Sequence, residues 1–315
     1  MGRTGGVVAA LALLVLGACG GAETPGSAAD AAAPAAPTTA IGTVEATNYP
    51  LAYVVERLAG PLLEVHFRAA GAPDPAYWRP TADQVVAMQE ADLIVVNGAG
   101  YEGWLKDVSL PTSRLVDTTA GMRERLIAIE SAVTHSHGTE GAHQHTGTAF
   151  TTWLDPTLLI EQAHAVAAAL ERTWPEQADL FADHLAALVA DLEKLDADQA
   201  AATVGAAERP VVFSHPVYQY LAKRYELEGH SVHWEPDESP GAKQWSELEH
   251  LRDHAKPEWM IWEAEPQAEI AARLEEAGIR SVVVDPCATP PADGDLIDVL
   301  RRNAAALREV YATAM

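Results

Sequence analysis

Four histidines, His135, His137, His143 and His145, fall within eleven residues of the run THSHGTEGAHQH. Their neighbours are Ser, Gln, Gly, Glu and Thr, a composition too polar to pack a core of its own. His-x-His occurring twice in one polar loop, 134–147, is a metal-binding composition, because the neutral imidazole is a strong ligand for borderline divalent ions. The run leads into Trp153-Leu154-Asp155-Pro156, where an acidic residue followed by proline marks the start of a helix.

A second group of donors stands at the ends of short apolar runs. His215 follows PVVF, Glu235 follows SVHW with His233 inside that run, Glu263 follows WMIW, and Asp285 follows SVVV. One imidazole and several carboxylates gathered without a basic side chain repel one another unless protons or a cation intervene. His with carboxylates is a ligand set for zinc or, alternatively, manganese. Cys287, two residues past Asp285, is either a soft ligand or a buried thiol. Tyr77, Trp78, Trp153 and Trp234 would supply an aromatic wall to the same cleft, which leaves open a non-metal guest or a partner.

The elements that must position these groups alternate between strand and helix in two halves. In the first half strands are predicted over 43–47, 63–67 and 93–97, with helices over 49–59 and 81–90. In the second, strands are predicted over 210–213, 231–234, 259–262 and 281–284, with helices over 216–225, 243–255, 267–277 and 295–311. The stretch between them is helical, and its second segment carries Leu180, Leu185, Leu188, Leu192 and Leu195 at three- and four-residue spacing with neither Gly nor Pro. The expectation is an α/β fold of two lobes with mostly parallel sheets, joined by a long rigid helix. In open sheets of this kind ligands bind outside the carboxyl ends of the strands, where these donors stand.

The amino terminus is read apart from the fold. Arg3, the ten-residue apolar run from Val7 to Leu16 and Leu16-Gly17-Ala18-Cys19 make residues 1–19 resemble a lipoprotein signal peptide with its lipobox, which implies a lipid anchor on Cys19. Residues 20–40, rich in Ala, Pro, Gly and Thr, form a disordered tether. The organisation expected beyond it is an N-terminal lobe over 41–155, linking helices over 156–205 and a C-terminal lobe over 206–315. A formal net charge of −24 argues against nucleic acid.

Read in order, TNYPLAYVVERLAG, GAPDP, ADLIVVNGAGYEGWL, WLDP, FSHPVYQYLAKRYEL, HWEPDESPGA and VVVDP resemble the solute-binding proteins of bacterial zinc and manganese ABC importers, from about Thr43 to Ala312. The resemblance implies a metal held between the lobes by two side chains from each, with His215 and Asp285 on the second-lobe positions. It implies an exported, membrane-anchored protein on the periplasmic or cell-surface face, a monomer that delivers its metal to a membrane permease. The two first-lobe positions depart from the family pattern, with Ala76 and Thr151 where the family carries histidine. The missing imidazoles would then come from the His-rich loop, with His233, Glu235 and Glu263 as further ligands. A zinc-dependent hydrolase is the competing class, but the chain lacks the HExxH pair and the GxSxG elbow, so no enzyme is expected.

Overall fold

The computed structural model describes residues 39–136 and 142–312, with the backbone alone over 130–136 and 142–146. The signal segment, Cys19, nearly all of the tether, and His137 lie outside the described residues.

The first lobe begins with β1 (Gly42–Ala46), α1 (Tyr49–Ala59), β2 (Leu63–His66), α2 (Ala82–Glu90), β3 (Leu93–Val96) and β4 (Leu115–Asp117). Its strands are all parallel, in the order β2-β1-β3-β4. Fully apolar β3 is buried along its whole length, as expected of a strand covered on both faces. Asn48 caps α1 by accepting from the Leu51 N–H at 2.9 Å, with Pro50 in the first turn. At the end of β3 the chain turns on Gly98, where φ is +77° and a Cβ would overlap Asp117 and Thr119.

An antiparallel hairpin follows, β5 (Ala128–Ser136) and β6 (Ala142–Thr148), with His135 and His143 as backbone partners. Of the His-rich segment, residues 134–136 and 142–147 are therefore paired strand backbone, and residues 137–141 lie outside the described residues.

Two helices link the halves, α3 (Pro156–Thr173), capped by Asp155 accepting from the Thr157 N–H, and α4 (Ala178–Ala202). At 25 residues, α4 is about 37 Å long. It buries Phe181, Leu188, Leu192 and Leu195, whereas Leu180, expected on that stripe, is 37% exposed. Leu180 precedes Phe181, and the larger aromatic ring takes the inward position.

The second lobe contains β7 (Val211–Phe213), α5 (Gln219–Tyr225), β8 (Gly229–Ser231), α6 (Ala242–Ala255), β9 (Trp259–Trp262), α7 (Ala268–Glu276), β10 (Arg280–Val283) and α8 (Leu296–Tyr311). Its sheet is again wholly parallel, ordered β10-β9-β7-β8, which is the strand order of the first lobe repeated. Strand β8 pairs two to three residues earlier than the apolar run SVHW suggests, so His233 and Trp234 lie beyond it. Gly229 permits this register: a Cβ there would run into the Phe213 ring.

Helix α4 packs on α1 of the first lobe and α8 of the second, and one hydrophobic core runs through both lobes and the linking helices. Hydrogen bonds also cross between the lobes. The Trp153 indole donates to the Pro286 carbonyl at 2.7 Å, the Thr151 hydroxyl to the Val217 carbonyl at 2.5 Å, and the Tyr220 hydroxyl to the Ala149 carbonyl at 2.8 Å.

Candidate metal centre

The carboxyl ends of the second sheet carry the donors in strand order. Asp285 lies two residues past β10, Glu263 directly past β9, His215 two residues past β7, and Glu235 four residues past β8. The order of the strands reverses between β7 and β9, the position where open α/β sheets form a crevice. His215 and Glu263 meet there, with Nδ1 of the imidazole 3.0 Å from Oε1 of the carboxylate. The other ring nitrogen, Nε2, faces Glu235 Oε1 at 3.8 Å, longer than a hydrogen bond. Asp285 is held through its backbone, its N–H donating to Asn303 Oδ1 at 3.0 Å and its carbonyl accepting from Asn303 Nδ2 at 2.7 Å.

These four side chains line a cavity of about 520 Å³ between the lobes. The first lobe contributes Asp74, Ala76, Tyr77, Tyr101, Thr151 and Trp153 to its wall, and Ile129 and Ala149 at the base of the hairpin line it too. Asp237 and Glu238 bring its carboxylates to six, with no Lys or Arg in the lining among the described residues. The electrostatic consequences are direct. Burial depresses the basicity of His215, but the Glu263 hydrogen bond and the charges of Glu263, Glu235 and Asp74 outweigh it and leave the pKa raised. Burial raises the Asp285 carboxyl, with Glu263 adding to the shift and the Cys287 N–H and Arg302 opposing it. Burial and then the Asp74 charge push the Tyr101 phenol well above its ordinary value, and its hydroxyl, though buried, has no hydrogen-bond partner among the described residues.

The structure thus brings together His215, Glu235, Glu263 and Asp285, with Tyr77 and Trp153 on the wall. It does not bring in the rest. His233 sits edge-on to His215, ring centroids 5.7 Å apart, and lies outside the lining. Trp234 belongs to the second-lobe core, 1% exposed and packed on Trp245 and Trp262. Trp78 turns to Trp104, centroids 5.9 Å apart, rather than to the cavity. Cys287 is buried at φ +55° with its thiol directed to the Thr289 carbonyl and its pKa raised by burial, the bland alternative of the two. The hairpin carries His135, His143 and His145 on its strands, and their side chains are outside the described residues.

Both departures from the family pattern have a structural counterpart. Ala76 presents a methyl group to the cavity, and the Thr151 hydroxyl is committed to Val217 of the other lobe. Asp74, within the Gly-Ala-Pro-Asp-Pro turn after β2, is the first-lobe carboxylate of the cavity and carries no ligand signal in the sequence. Among the described residues no three His, Cys, Asp or Glu side chains already stand close enough to enclose an ion.

Two α/β lobes of one strand order, linked by helices and enclosing an acidic cleft at their strand ends, define a two-lobed solute-binding protein. The chain belongs to the ZnuA family, the periplasmic component A of the zinc-uptake complex, whose model matches residues 44–310. It is similar to the zinc-binding lipoprotein AdcA of Streptococcus pneumoniae, 25% identical over a 274-position alignment that covers 84% of this chain and 54% of that protein. It is also similar to the high-affinity zinc uptake system protein ZnuA of Bacillus subtilis, 23% identical over a 320-position alignment that covers 96% of this chain and 95% of the relative. The chain spans about half the length of the streptococcal relatives it matches. In fold it superposes on the Zn(II)-bound ZnuA-like domain of S. pneumoniae AdcA with a TM-score of 0.74 at 22% identity, covering 86% of this chain and 99% of that domain.

Proposed function

We propose that the cleft captures a divalent metal ion, zinc before manganese, outside the cytoplasm and hands it to the permease of an ABC importer. The observation that carries the reading is the environment of His215. Glu263 accepts a hydrogen bond from the Nδ1–H and fixes the ring, in the manner of a carboxylate that orients a metal-ligating imidazole. That leaves Nε2 turned to Glu235 across 3.8 Å, while two donors on one tetrahedral zinc stand about 3.4 Å apart. A shift of a few tenths of an ångström would let the two share one ion. Asp285 and Asp74 face the same cavity from either side and are the remaining oxygen donors. Membership of the family and the names of the relatives, zinc-binding and zinc-uptake proteins, support the same cargo.

The domain organisation follows that function. Residues 1–19 direct export, Cys19 carries the lipid, residues 20–40 tether the body, and the lobes over 41–155 and 206–315 close on the ion about the helices of 156–205. The protein acts as a monomer and catalyses no reaction. In this reading His135, His137, His143 and His145 supply the imidazoles that the first lobe lacks at Ala76 and Thr151, since Ile129 and Ala149, which flank the His-rich segment, line the cavity.

Elemental analysis of the tag-free protein, followed by competition with a chelator of known affinity, tests the reading. About one zinc per chain held far more tightly than micromolar is the expected result. Uptake of neither zinc nor manganese at that level would overturn it and return the cavity, with its unpartnered Tyr101 hydroxyl, to an organic guest. Deleting residues 135–145 should weaken the tight phase; an unchanged tight phase would remove the hairpin from the site.

A further inference from the structure

Helix α6 carries a second pair of imidazoles, His250 and His254, neither of which lines the cavity. The i, i+4 spacing sets them one above the other on one helix face. Both are exposed, whereas α6 turns Trp245 and Leu248 inward. Their ring centroids are 4.6 Å apart with the planes at 50°.

That separation can be compared with what one ion requires. With a zinc–nitrogen bond of about 2.1 Å and a ring nitrogen about 1.1 Å from the ring centre, two imidazoles on one ion place their centroids about 4.5–5.2 Å apart as the angle at the metal runs from about 90° to 109°. The observed 4.6 Å falls inside this window, so the rings need only rotate about their side-chain torsions. The surroundings favour a cation. His254 stands in the last turn of α6, where unpaired carbonyls give the helix its negative end. Glu247, one turn before His250, lies on the same face and is bridged to Lys243 at 3.6 Å. Lys256 at the C-cap, Arg252 in the last turn and Lys243 are the opposing charges.

We infer that His250 and His254 form a surface site for a borderline divalent ion of the zinc, nickel and copper(II) class, distinct from the cleft. Two His four residues apart on a helix are the same pair that metalloproteases use on zinc. Here no third His, Cys, Asp or Glu completes the shell among the described residues, so water fills it. Binding is therefore weaker and faster to exchange than in a cleft with four protein donors.

The test uses the full chain with His135, His137, His143 and His145 replaced by Ser, so that the hairpin cannot contribute. Zinc alone is titrated into it by calorimetry. The expected result is a weak class of about one ion per chain beyond any cleft phase, weakened about tenfold or more by His250→Ala and by His254→Ala alike. His215→Ala should leave that weak class in place, which separates this site from the cleft whether or not the cleft binds. Circular dichroism of the single variants should match the parent, since both side chains are exposed. A weak class of equal strength in the His254→Ala chain, or its absence from the Ser background, overturns the inference.

Discussion

The two lobes share one strand order and use its crevice in opposite ways. In the first lobe the order reverses between β1 and β3, and the space past those strands is filled by a buried polar network. Asn48 donates to Asn97 Oδ1 at 3.2 Å, Gln162 to the same oxygen at 3.1 Å and to Thr118 at 2.7 Å, and Glu102 accepts from the Asn97 N–H at 2.6 Å and the Gly98 N–H at 3.1 Å. Burial raises Glu102 to about 7 even against the Thr47 hydroxyl and these N–H donors. In the second lobe the equivalent crevice holds His215 against Glu263 and opens into the cavity. A crevice whose buried groups, Glu102 included, are all hydrogen-bonded to one another fixes a wall; one whose ionisable groups open into a cavity can bind a charge. The difference teaches that fold alone does not make the site: the same topology yields a wall or a binding edge according to which side chains follow the strands.

If the second lobe carries the binding, His215 is the residue whose loss costs most. His215→Ala should weaken tight zinc binding about a hundredfold, because it removes the one nitrogen donor of the strand-end group and leaves carboxylates to repel across the gap. Chelator competition reads the change. A loss under about threefold would move the centre of the site elsewhere.

Next comes an attempt to abolish the asymmetry. Ala76 already faces the cavity, so Ala76→His adds an imidazole on the side that has none among its described donors. Zinc should bind about tenfold more tightly, and manganese less so, since nitrogen ligands favour zinc. A weaker complex would mean that the first lobe stands too far from His215 to share an ion with it.

How much of this was legible in the residues follows from what each element depends on. Leu93–Val96 and Trp259–Trp262 announce themselves because a strand buried on both faces is apolar throughout. The three-residue β4, Leu115–Asp117, is too short to show a period, and β8 is placed by the clearance that Gly229 gives Phe213, which no local pattern reveals. Of the site, His215, Glu235, Glu263 and Asp285 could be read because they follow predicted strands within a few residues. Asp74 and Tyr101 could not, since each reaches the cavity from a long connection whose path is set by tertiary packing. The aromatic wall failed at Trp234 because a large ring gains more from a core than from a cleft, and at Trp78 because its half-buried ring packs edge-on against Trp104 instead.

Asp74 sharpens the comparison in a smaller way. As the first-lobe carboxylate facing the cavity, it acts on His215, Tyr77 and Tyr101 through its charge. Asp74→Asn keeps the shape and removes the charge, and should weaken zinc about fivefold, less than the loss at His215. Equal losses at the two residues would make the lobes equal partners.

The smallest effect is expected where the family pattern would place its other first-lobe ligand. Thr151 is 5% exposed and its hydroxyl donates to the Val217 carbonyl, so its bond is between lobes rather than to a guest. Thr151→Val preserves the branched shape, deletes the donor and leaves that carbonyl short of a partner, at a cost of about 1 kcal/mol in unfolding free energy. Zinc affinity should change by no more than about threefold, because the Trp153–Pro286 and Tyr220–Ala149 bonds still hold the lobes at the same edge. Denaturant unfolding and chelator competition on the same variant separate the two effects. A large loss of zinc with little loss of stability would assign Thr151 to the ion, and the first lobe would then be a ligand-bearing face rather than a wall.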